Sequence, residues 1–253
     1  MACQIEVLFT PAEFRKLRER DLTRTTCVVF DILRATSTFV TALAAGAKGI
    51  LPVSEISEAL AWRQRDPTVL LAGERDGLRI GGTLTGGVEF DLGNSPREFV
   101  NHVVADRIVV ATTTNGTRAL RACAGAEEVC IGSFLNQTAT LQHLKKRPRE
   151  RICLVGAGTG EAAALEDILA AGSLCDQLTV SLASVELEDS AQIALGTFRA
   201  ARGILAETLC QARNARRLLS MPELRDDVQF CIQLDAFDFA AASDADGLLR
   251  RLP

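Results

Sequence analysis

The aspartate that follows one apolar segment is the strongest candidate for chemistry in this sequence. The apolar run ending at Phe30 leads directly into Asp31, and Arg34, Ser37 and Thr38 come shortly after it. In open α/β sheets, ligands bind beyond the carboxyl ends of the strands, which is where Asp31 would lie. An arginine, hydroxyl groups and the free N–H groups of a helix N-terminus all favour an anion there. We therefore expect Asp31 to be catalytic and the other three to bind an anionic substrate, with an ordinary helix cap as the alternative.

A second segment repeats this arrangement. The apolar run Arg107–Ala111 leads into the segment TTTNGTR, which carries hydroxyl groups, a glycine and an arginine. Such a turn can present N–H groups to phosphate or sulfonate while the arginine makes a charge-assisted contact, although a capped helix start remains the alternative. The substrate-binding residues predicted in this segment are Thr113, Thr114, Asn115, Gly116, Thr117 and Arg118.

A glycine-rich turn before two acidic residues is the third candidate. The turn is Gly156–Gly160, and Glu166 and Asp167 follow it. A dinucleotide-binding motif is disfavoured because its last glycine would fall at Glu161, whose carboxylate would repel a pyrophosphate. Mg²⁺ needs only one or two carboxylates beside waters and substrate oxygens. We expect Asp31 with Glu166 or Asp167 to be the catalytic metal ligands, with a solvent-facing helix start as the alternative.

Weaker candidates follow three other turns. Arg75 ends the segment Leu-Ala-Gly-Glu-Arg, Asn94 lies before a Ser-Pro pair, and Asn136 follows an apolar run. Each is predicted to bind substrate, although Arg75 could simply pair with the preceding glutamate. His102 and His143 lie on predicted amphipathic helices and are expected at the surface or in packing contacts.

These segments are separated by elements that alternate along the chain. The predicted strands are Ile5–Phe9, Thr26–Asp31, Gly49–Val53, Thr68–Ala72, Arg107–Ala111, Glu128–Ile131 and Arg151–Gly156. The predicted helices are Arg34–Ala45, Glu55–Arg65, Gly116–Cys123, Leu135–Lys145 and Ala163–Leu174. Most strands are near-continuous in Val, Ile, Leu and Cys, as in a sheet covered on both faces. The alternation predicts an α/β fold, a three-layer α/β/α sandwich with a largely parallel, mixed sheet.

Three regions depart from this alternation. Gly73–Pro96 is predicted to be a long loop or a hairpin excursion. Glu186–Leu219 has a helical pattern, and Gln229–Leu234 and Asp235–Ala240 are predicted to be two short strands. No Ser/Pro-rich linker or internal repeat is present in the sequence, so residues 1–253 are expected to form one domain, which could have two lobes.

The net charge and composition limit the classes of molecule that this protein is expected to bind. The net charge of −4 argues against nucleic acid and anionic membranes, so local features must attract a small anionic phospho-substrate. We find no signal peptide and no apolar run of the roughly 18 residues that a membrane span needs, and therefore expect a cytoplasmic protein. Apolar residues of the predicted helical region could pack on the sheet or form a homodimer: Ile193, Leu195, Phe198, Ile204, Leu205 and Leu209.

The eight cysteines are scattered and include no CxxC pair. Buried free thiols in a reducing compartment are the expected state. A catalytic thiolate is disfavoured because no neighbouring histidine or CxxxxxR loop supports one.

The chemically suggestive segments together resemble one known family. In chain order, FDILRATST, LAGER, LGNSP, TTTNGTRAL, GSFLN, AGxGxxxxLED and VQFCIQLD closely resemble the 2-phosphosulfolactate phosphatase (ComB) family, from about Thr26 to about Asp238. The resemblance implies a Mg²⁺-dependent acid-type phosphatase that hydrolyses (R)-2-phospho-3-sulfolactate to 3-sulfolactate and phosphate, a step toward coenzyme M. Two departures concern Gly156, where a cysteine is expected, and Gln211–Arg217, which lacks an expected Gly and His. The first excludes an essential thiol there, and the second puts a substrate contact from that segment in question.

The anionic groups of the implied substrate match the candidate arginines of the sequence. Phosphate, sulfonate and carboxylate together need at least two anion pockets, which Arg34, Arg75 and Arg118 could supply. The haloacid-dehalogenase pattern fails because Leu33 occupies its second aspartate position. We expect metal-assisted attack by water, with a phosphoenzyme at Asp31 as the open alternative. The rival functions are a phosphatase for another small phosphorylated carboxylic acid and a non-catalytic anion- or nucleotide-binding domain.

Overall fold

The computed structural model describes residues 2–147 and 149–252, and these form a sheet of eleven strands. The strands are β1 (Cys3–Leu8), β2 (Thr25–Phe30), β3 (Gly49–Pro52), β4 (Leu70–Arg75), β5 (Leu78–Arg79), β6 (Ile108–Thr112), β7 (Glu128–Gly132), β8 (Arg151–Gly156), β9 (Val185–Leu187), β10 (Ala241–Ser243) and β11 (Leu249–Arg251). Their order across the sheet is β5-β4-β6-β3-β11-β10-β7-β2-β8-β1-β9.

The sheet consists of two parallel blocks joined by a hairpin. Strands β4, β6 and β3 form one block, and β7, β2, β8, β1 and β9 form the other. The hairpin β10–β11 lies between them and pairs antiparallel with β7 and β3. The prediction of a mixed, largely parallel sheet is therefore confirmed.

Helices cover both faces of this sheet. They are α1 (Pro11–Arg15), α2 (Ala35–Ala44), α3 (Ile56–Arg65), α4 (Gly82–Thr85), α5 (Asn101–Val104), α6 (Gly116–Ala122), α7 (Gln137–Lys146), α8 (Leu165–Ser181), α9 (Asp189–Ala201), α10 (Leu205–Cys210), α11 (Arg213–Leu219) and α12 (Arg225–Cys231). The five predicted helices correspond to α2, α3, α6, α7 and α8, with ends that differ by a few residues.

The alternation of side chains along β2 shows why the fold has three layers. Cys27 and Val29 belong to the core under α2 and α6, whereas Val28 and Phe30 belong to the core under α7 and α8. Every residue of β2 is buried. A strand covered on both faces needs apolar side chains at consecutive positions, which is the pattern that the sequence shows.

The end of the chain differs from the prediction. Gln229–Leu234 and Asp235–Ala240 are not strands: α12 ends at Cys231, and the strand pair starts only at Ala241. Asp227, Val228 and Cys231 are all buried. Because Val228 and Cys231 are three residues apart, a helix places both on one buried face, and this packing overrides the strand-like composition.

The other two irregular regions agree with expectation in part. Gly73–Pro96 contains the predicted hairpin, formed by β4 and β5. Glu186–Leu219 is helical except for the strand β9 and a short 3-10 turn near Gly203. Within it Leu195, Phe198 and Leu209 are buried in the chain's own core, whereas Ile193 and Ile204 are exposed; the homodimer stays a prediction. Among the described residues, no helix is long and apolar enough to cross a membrane.

Candidate active site

A cleft of about 410 Å³ opens where strands of both parallel blocks end. Asp31 follows β2, Glu74 is the penultimate residue of β4, Thr114 follows β6 and Gly158 follows β8; all four line the cleft. The helix α11 lines it as well. Carboxyl ends of strands at a common cleft are the usual position for an α/β active site.

Asp31 occupies the centre of this arrangement. Its Oδ1 accepts a hydrogen bond of 3.1 Å from the N–H of Ala35, in the first turn of α2. A Cβ atom at Gly116 would lie 2.5 Å from its Oδ2, so only glycine lets α6 approach so closely. Burial raises the pKa of Asp31 to about 7, and the neighbouring Glu74 and Glu166 carboxylates add to this effect.

Asp167 connects the ends of two neighbouring strands. Its Oδ1 accepts a hydrogen bond of 2.9 Å from the N–H of Ile32, and its Oδ2 accepts one of 3.0 Å from the N–H of Gly158. Gly158 has a φ of +70° that disfavours other residues. Burial raises the pKa of Asp167 well above its ordinary value, and Glu166 and Asp31 raise it further. Its position indicates that Asp167 holds the turn after β8 against the turn after β2.

One carboxylate oxygen of Glu166 accepts a hydrogen bond, and the other accepts none from the described residues. Asn214 of α11 donates to its Oε1 at 2.5 Å and to the Thr159 hydroxyl at 2.6 Å. The Oε2 atom is buried and accepts no hydrogen bond from the described residues. Burial raises the pKa of Glu166, while Asn214 and Arg213 oppose this shift. A buried carboxylate oxygen without a donor costs free energy unless a cation or water satisfies it.

The oxygens of these carboxylates could hold a divalent cation. Asp31, Glu166 and Asp167 are buried like charges whose ionisation a cation would favour, and oxygen ligands of this kind suit Mg²⁺. Both Asp167 oxygens already accept N–H groups, which leaves Asp31 and Glu166 as the freer pair. Among the described residues, three possible ligand atoms lie within 4.8 Å of one another only at Glu128, Cys130 and His143, and a metal site at the cleft stays a prediction.

Arg34 lies at the cleft, but its charge is already neutralised. Its Nη1 donates to Asp227 Oδ2 at 2.7 Å, and its Nη2 donates to the Gly77 carbonyl at 2.7 Å. Asp227, which is fully buried, also accepts from Ser95 and Arg97. Asp227 was not found from the sequence, because it belongs to α12, where the sequence predicted the strand Gln229–Leu234 and no helix.

The hydroxyls near Arg34 hold the local structure. Ser37 donates to the carbonyl of Ile32 at 2.9 Å, and Thr38 donates to the carbonyl of Asn94 at 2.8 Å. Asn94 itself lines the cleft. Among these predicted substrate-binding residues, Arg34 and Asn94 therefore belong to the wall of the cleft.

In the second hydroxyl-rich segment the polar groups mainly contact each other. Thr113 and Thr117 are joined by hydrogen bonds of 3.1–3.2 Å between their backbone and side-chain groups. The N–H and hydroxyl of Thr114 both donate to Glu74, at 2.8 and 2.9 Å. Asn115 lines the cleft and donates to the carbonyls of the glycine-rich turn after β8.

Three further predicted residues lie outside the cleft lining. Arg118 is more than half exposed and stands 3.6 Å from Glu55. Arg75 donates to the hydroxyl and carbonyl of Thr112. Asn136 is buried and accepts a hydrogen bond from the N–H of Ser133. Their assignment to the substrate stays a prediction.

The helix α11 contributes residues that sequence reasoning missed. Arg213, Asn214 and Arg217 all line the cleft, although the departure from the family pattern at Gln211–Arg217 put a substrate contact from this segment in question. The signal in the sequence was the i, i+4 pair of arginines, which would share one helix face.

The cysteines are free thiols, as expected from their scattered positions. All eight are free thiols, and every one except the half-buried Cys210 is buried.

Comparison with known proteins identifies the family. A family model described as 2-phosphosulpholactate phosphatase matches residues 12–244. A protein of Caldanaerobacter subterraneus subsp. tengcongensis named probable 2-phosphosulfolactate phosphatase is 38% identical over 91% of this chain and 92% of its own length. Proteins of the same name from Thermotoga petrophila and Deinococcus radiodurans are 40% and 41% identical, over 84% and 82% of this chain and 86% and 82% of their own lengths. With its motifs in order and a match of this extent, the chain belongs to the 2-phosphosulfolactate phosphatase family, whose members are phosphoric monoester hydrolases.

Proposed function

We propose that this enzyme hydrolyses (R)-2-phospho-3-sulfolactate to 3-sulfolactate and phosphate, with Mg²⁺ as its cofactor. The observation that carries the proposal is the combination of two carboxyl groups with raised pKa values and two arginines of α11: Asp31 and both arginines line the cleft, and Glu166 is hydrogen-bonded to the lining residue Asn214. The first set suits a metal and a phosphoryl group, and the second suits a further anionic group. Coenzyme M biosynthesis and a cytoplasmic location belong to the same proposal and rest on the family resemblance.

The proposed metal ligands are Asp31 and Glu166. Glu166 offers its unbonded Oε2, and Asp31 has Oδ2 beside Gly116. When bound there, Mg²⁺ would polarise the phosphoryl group and stabilise the charge that develops during transfer.

The protein's own contribution is to fix the turns that surround the substrate. Asp167 fixes the turns after β2 and β8 through its two N–H contacts. Glu74 fixes the turn after β6 through Thr114 and the turn after β4 through Gly77. Held in this way, the strand ends orient the phosphate ester for attack by water at phosphorus. The water oxygen bonds to phosphorus while the bond between phosphorus and the C2 oxygen breaks; one water proton ends on the C2 oxygen, which leaves as the alcohol, and the other stays on the phosphate.

Phosphate release from synthetic (R)-2-phospho-3-sulfolactate tests this function. Wild-type enzyme should release phosphate with Mg²⁺ and lose this activity in EDTA, and Mg²⁺ should restore it. No release with Mg²⁺, together with ligand binding, would favour the rival binding domain.

A panel of substrates tests the specificity. The panel comprises the sulfolactate ester, 2-phospholactate, phosphoglycolate and 3-phosphoglycerate, compared by kcat/KM. The proposal requires the sulfolactate ester to rank first. A higher kcat/KM for one of the unsulfonated acids would instead assign the enzyme to that phosphorylated carboxylic acid.

A further inference from the structure

Two arginines of α11 enter the cleft without a carboxylate partner. Arg213 donates one N–H to the carbonyl of Thr159 at 3.1 Å, and Arg217 donates one to the carbonyl of Asp76 at 2.6 Å. Among the described residues, neither forms a salt bridge, and Glu166 is the acidic group whose pKa Arg213 lowers. Both guanidinium groups are therefore held in place by backbone carbonyls while their charge remains available.

No other charged side chain of the cleft lining offers an available positive charge. Arg34 is the third arginine of the lining, and Asp227 neutralises it. The remaining charged side chains of the lining, Asp31, Glu74 and Asp76, are acidic. A substrate with a second anionic group beside its phosphate is therefore attracted to α11 and repelled from the other walls.

The spacing on α11 suits one shared ligand. Arg213 and Arg217 are four residues apart, so their side chains leave the helix on the same face. A guanidinium has five N–H donors in a planar fork, and each of these two uses one of them on protein. The free donors match the oxygens of a sulfonate, which a planar fork can contact in pairs.

We infer that Arg213 and Arg217 form a subsite for the sulfonate group and set the preference for a sulfonated phosphate ester. The inference deepens the proposed function and rests on it for the identity of the substrate. It assigns a specificity-determining role to a segment that departs from the family pattern.

A comparison of substrates across variants tests the inference. The variants are Arg213→Gln, Arg217→Gln and the matched control Arg216→Gln, since Arg216 lies exposed on the same helix and outside the cleft lining. The substrates are the sulfolactate ester, 2-phospholactate, which lacks the sulfonate, and phosphoisethionate, which lacks the carboxylate. Thermal unfolding confirms that each variant is folded.

We expect each arginine variant to lose about 10- to 100-fold in kcat/KM on the two sulfonated substrates, mainly through KM. The loss on 2-phospholactate should stay below about 3-fold, and Arg216→Gln should behave as wild type on all three. An equal loss on 2-phospholactate would overturn the inference, because the arginines would then contact the phosphate or carboxylate. A loss confined to substrates with the carboxylate would overturn it as well.

Direct binding of 3-sulfolactate separates this inference from the proposed function. Isothermal titration should show binding to wild type and to Arg216→Gln, and a weakening of about 10-fold or more in the other two variants. If wild type binds 3-sulfolactate in this arginine-dependent way but does not hydrolyse the ester, the subsite stands and the proposed function fails. If wild type hydrolyses the ester and the arginine variants bind 3-sulfolactate unchanged, the subsite fails and the function stands.

Discussion

Two strand ends with almost the same sequence pattern make different contacts in this structure. After β2 an aspartate, an arginine and hydroxyls open α2, and after β6 hydroxyls, a glycine and an arginine open α6. At the first, Asp31 lies in the cleft with a raised pKa. At the second, Thr113 and Thr117 bond to each other and Arg118 stands beside Glu55 at the surface.

The difference shows that partners from distant segments decide what a motif does. Arg34 forms a buried salt bridge with Asp227, which is 193 residues away in the sequence. The free cations of the cleft come instead from α11. Hydroxyls and arginines at a strand end thus indicate an edge of the sheet, while the available charge has to be read from the tertiary contacts.

The sharpest test of the first strand end is Asp31→Asn. The substitution keeps the shape of the side chain but removes a charge proposed to bind Mg²⁺, so kcat/KM should fall by about 100-fold or more. The folded protein should persist, because a carboxylate whose pKa is raised by burial is itself costly to ionise. Steady-state phosphate release and thermal unfolding measure both effects. Retention of more than about a tenth of wild-type kcat would exclude an essential role for Asp31.

Arg34→Gln should act on stability more than on substrate binding. Breaking a buried ion pair leaves Asp227 without its main counter-charge and typically costs about 3–5 kcal/mol. We expect the lower end of this range because Ser95 and Arg97 still donate to Asp227. Urea denaturation measures the change in the free energy of unfolding. An unchanged free energy of unfolding with a large rise in KM would show that Arg34 contacts the substrate, as its sequence motif predicts.

The pH dependence of stability tests the acidic cluster. The folded pKa of Asp31 is about 7 against an ordinary value of 3.8, so between these pH values the folded state binds more protons than the unfolded state. Its contribution to the stability of the metal-free protein is therefore fully present below about pH 4 and lost as the pH rises through 7, by up to about 4 kcal/mol. The raised pKa values of Glu166 and Asp167 act in the same direction.

Denaturation in EDTA from pH 5 to pH 8 measures this loss, and Mg²⁺ should recover more stability at pH 8 than at pH 5. Asp31→Asn serves as the control and should reduce the pH dependence, while Glu166 and Asp167 keep the remainder. An identical pH profile for wild type and Asp31→Asn would contradict the shift at this carboxyl group.

Asn214→Leu should weaken the metal site through Glu166. Asn214 orients Glu166 by donating to Oε1, which leaves Oε2 as the oxygen without a donor. Partners that orient a metal ligand typically contribute about 10- to 100-fold in metal affinity, so the apparent Kd for Mg²⁺ should rise within that range. The Mg²⁺ dependence of Tm measures this independently of turnover, with Arg216→Gln as the control. An unchanged Kd would show that Glu166 does not bind the metal or does not need Asn214.

The sequence could predict those parts of the molecule that depend on local pattern. Apart from β9, the strands of the two parallel blocks coincide with apolar runs, and Asp31 lies where one of these runs ends. By contrast, β10 has the sequence Ala-Ala-Ser, whose small side chains carry no strand signal, and its place between β7 and β11 alone makes it a strand.

The contacts that a single sequence could not predict join distant segments. Asn214 reaches Glu166 across 48 residues, and Asp227 reaches Arg34 across 193. No periodicity or motif encodes such pairs, because they depend on how α11 and α12 pack over the cleft. For that reason the sequence pattern pointed to Arg34, Arg75 and Arg118, whereas Arg213 and Arg217, which line the cleft, were not found from it.

Arg118→Gln is the smallest expected effect and completes the comparison between the two strand ends. Arg118 and Glu55 are both more than half exposed and 3.6 Å apart, a pair that contributes little to stability because water screens it. Its side chain also lies outside the cleft lining, so kcat/KM for the sulfolactate ester should stay within about 2-fold of wild type. Arg121→Gln, which removes a similar exposed pair with Glu58, is the matched control. A loss of 10-fold or more in Arg118→Gln alone, about 1.4 kcal/mol, would mean that Arg118 reaches the bound substrate and that both strand ends supply a cation.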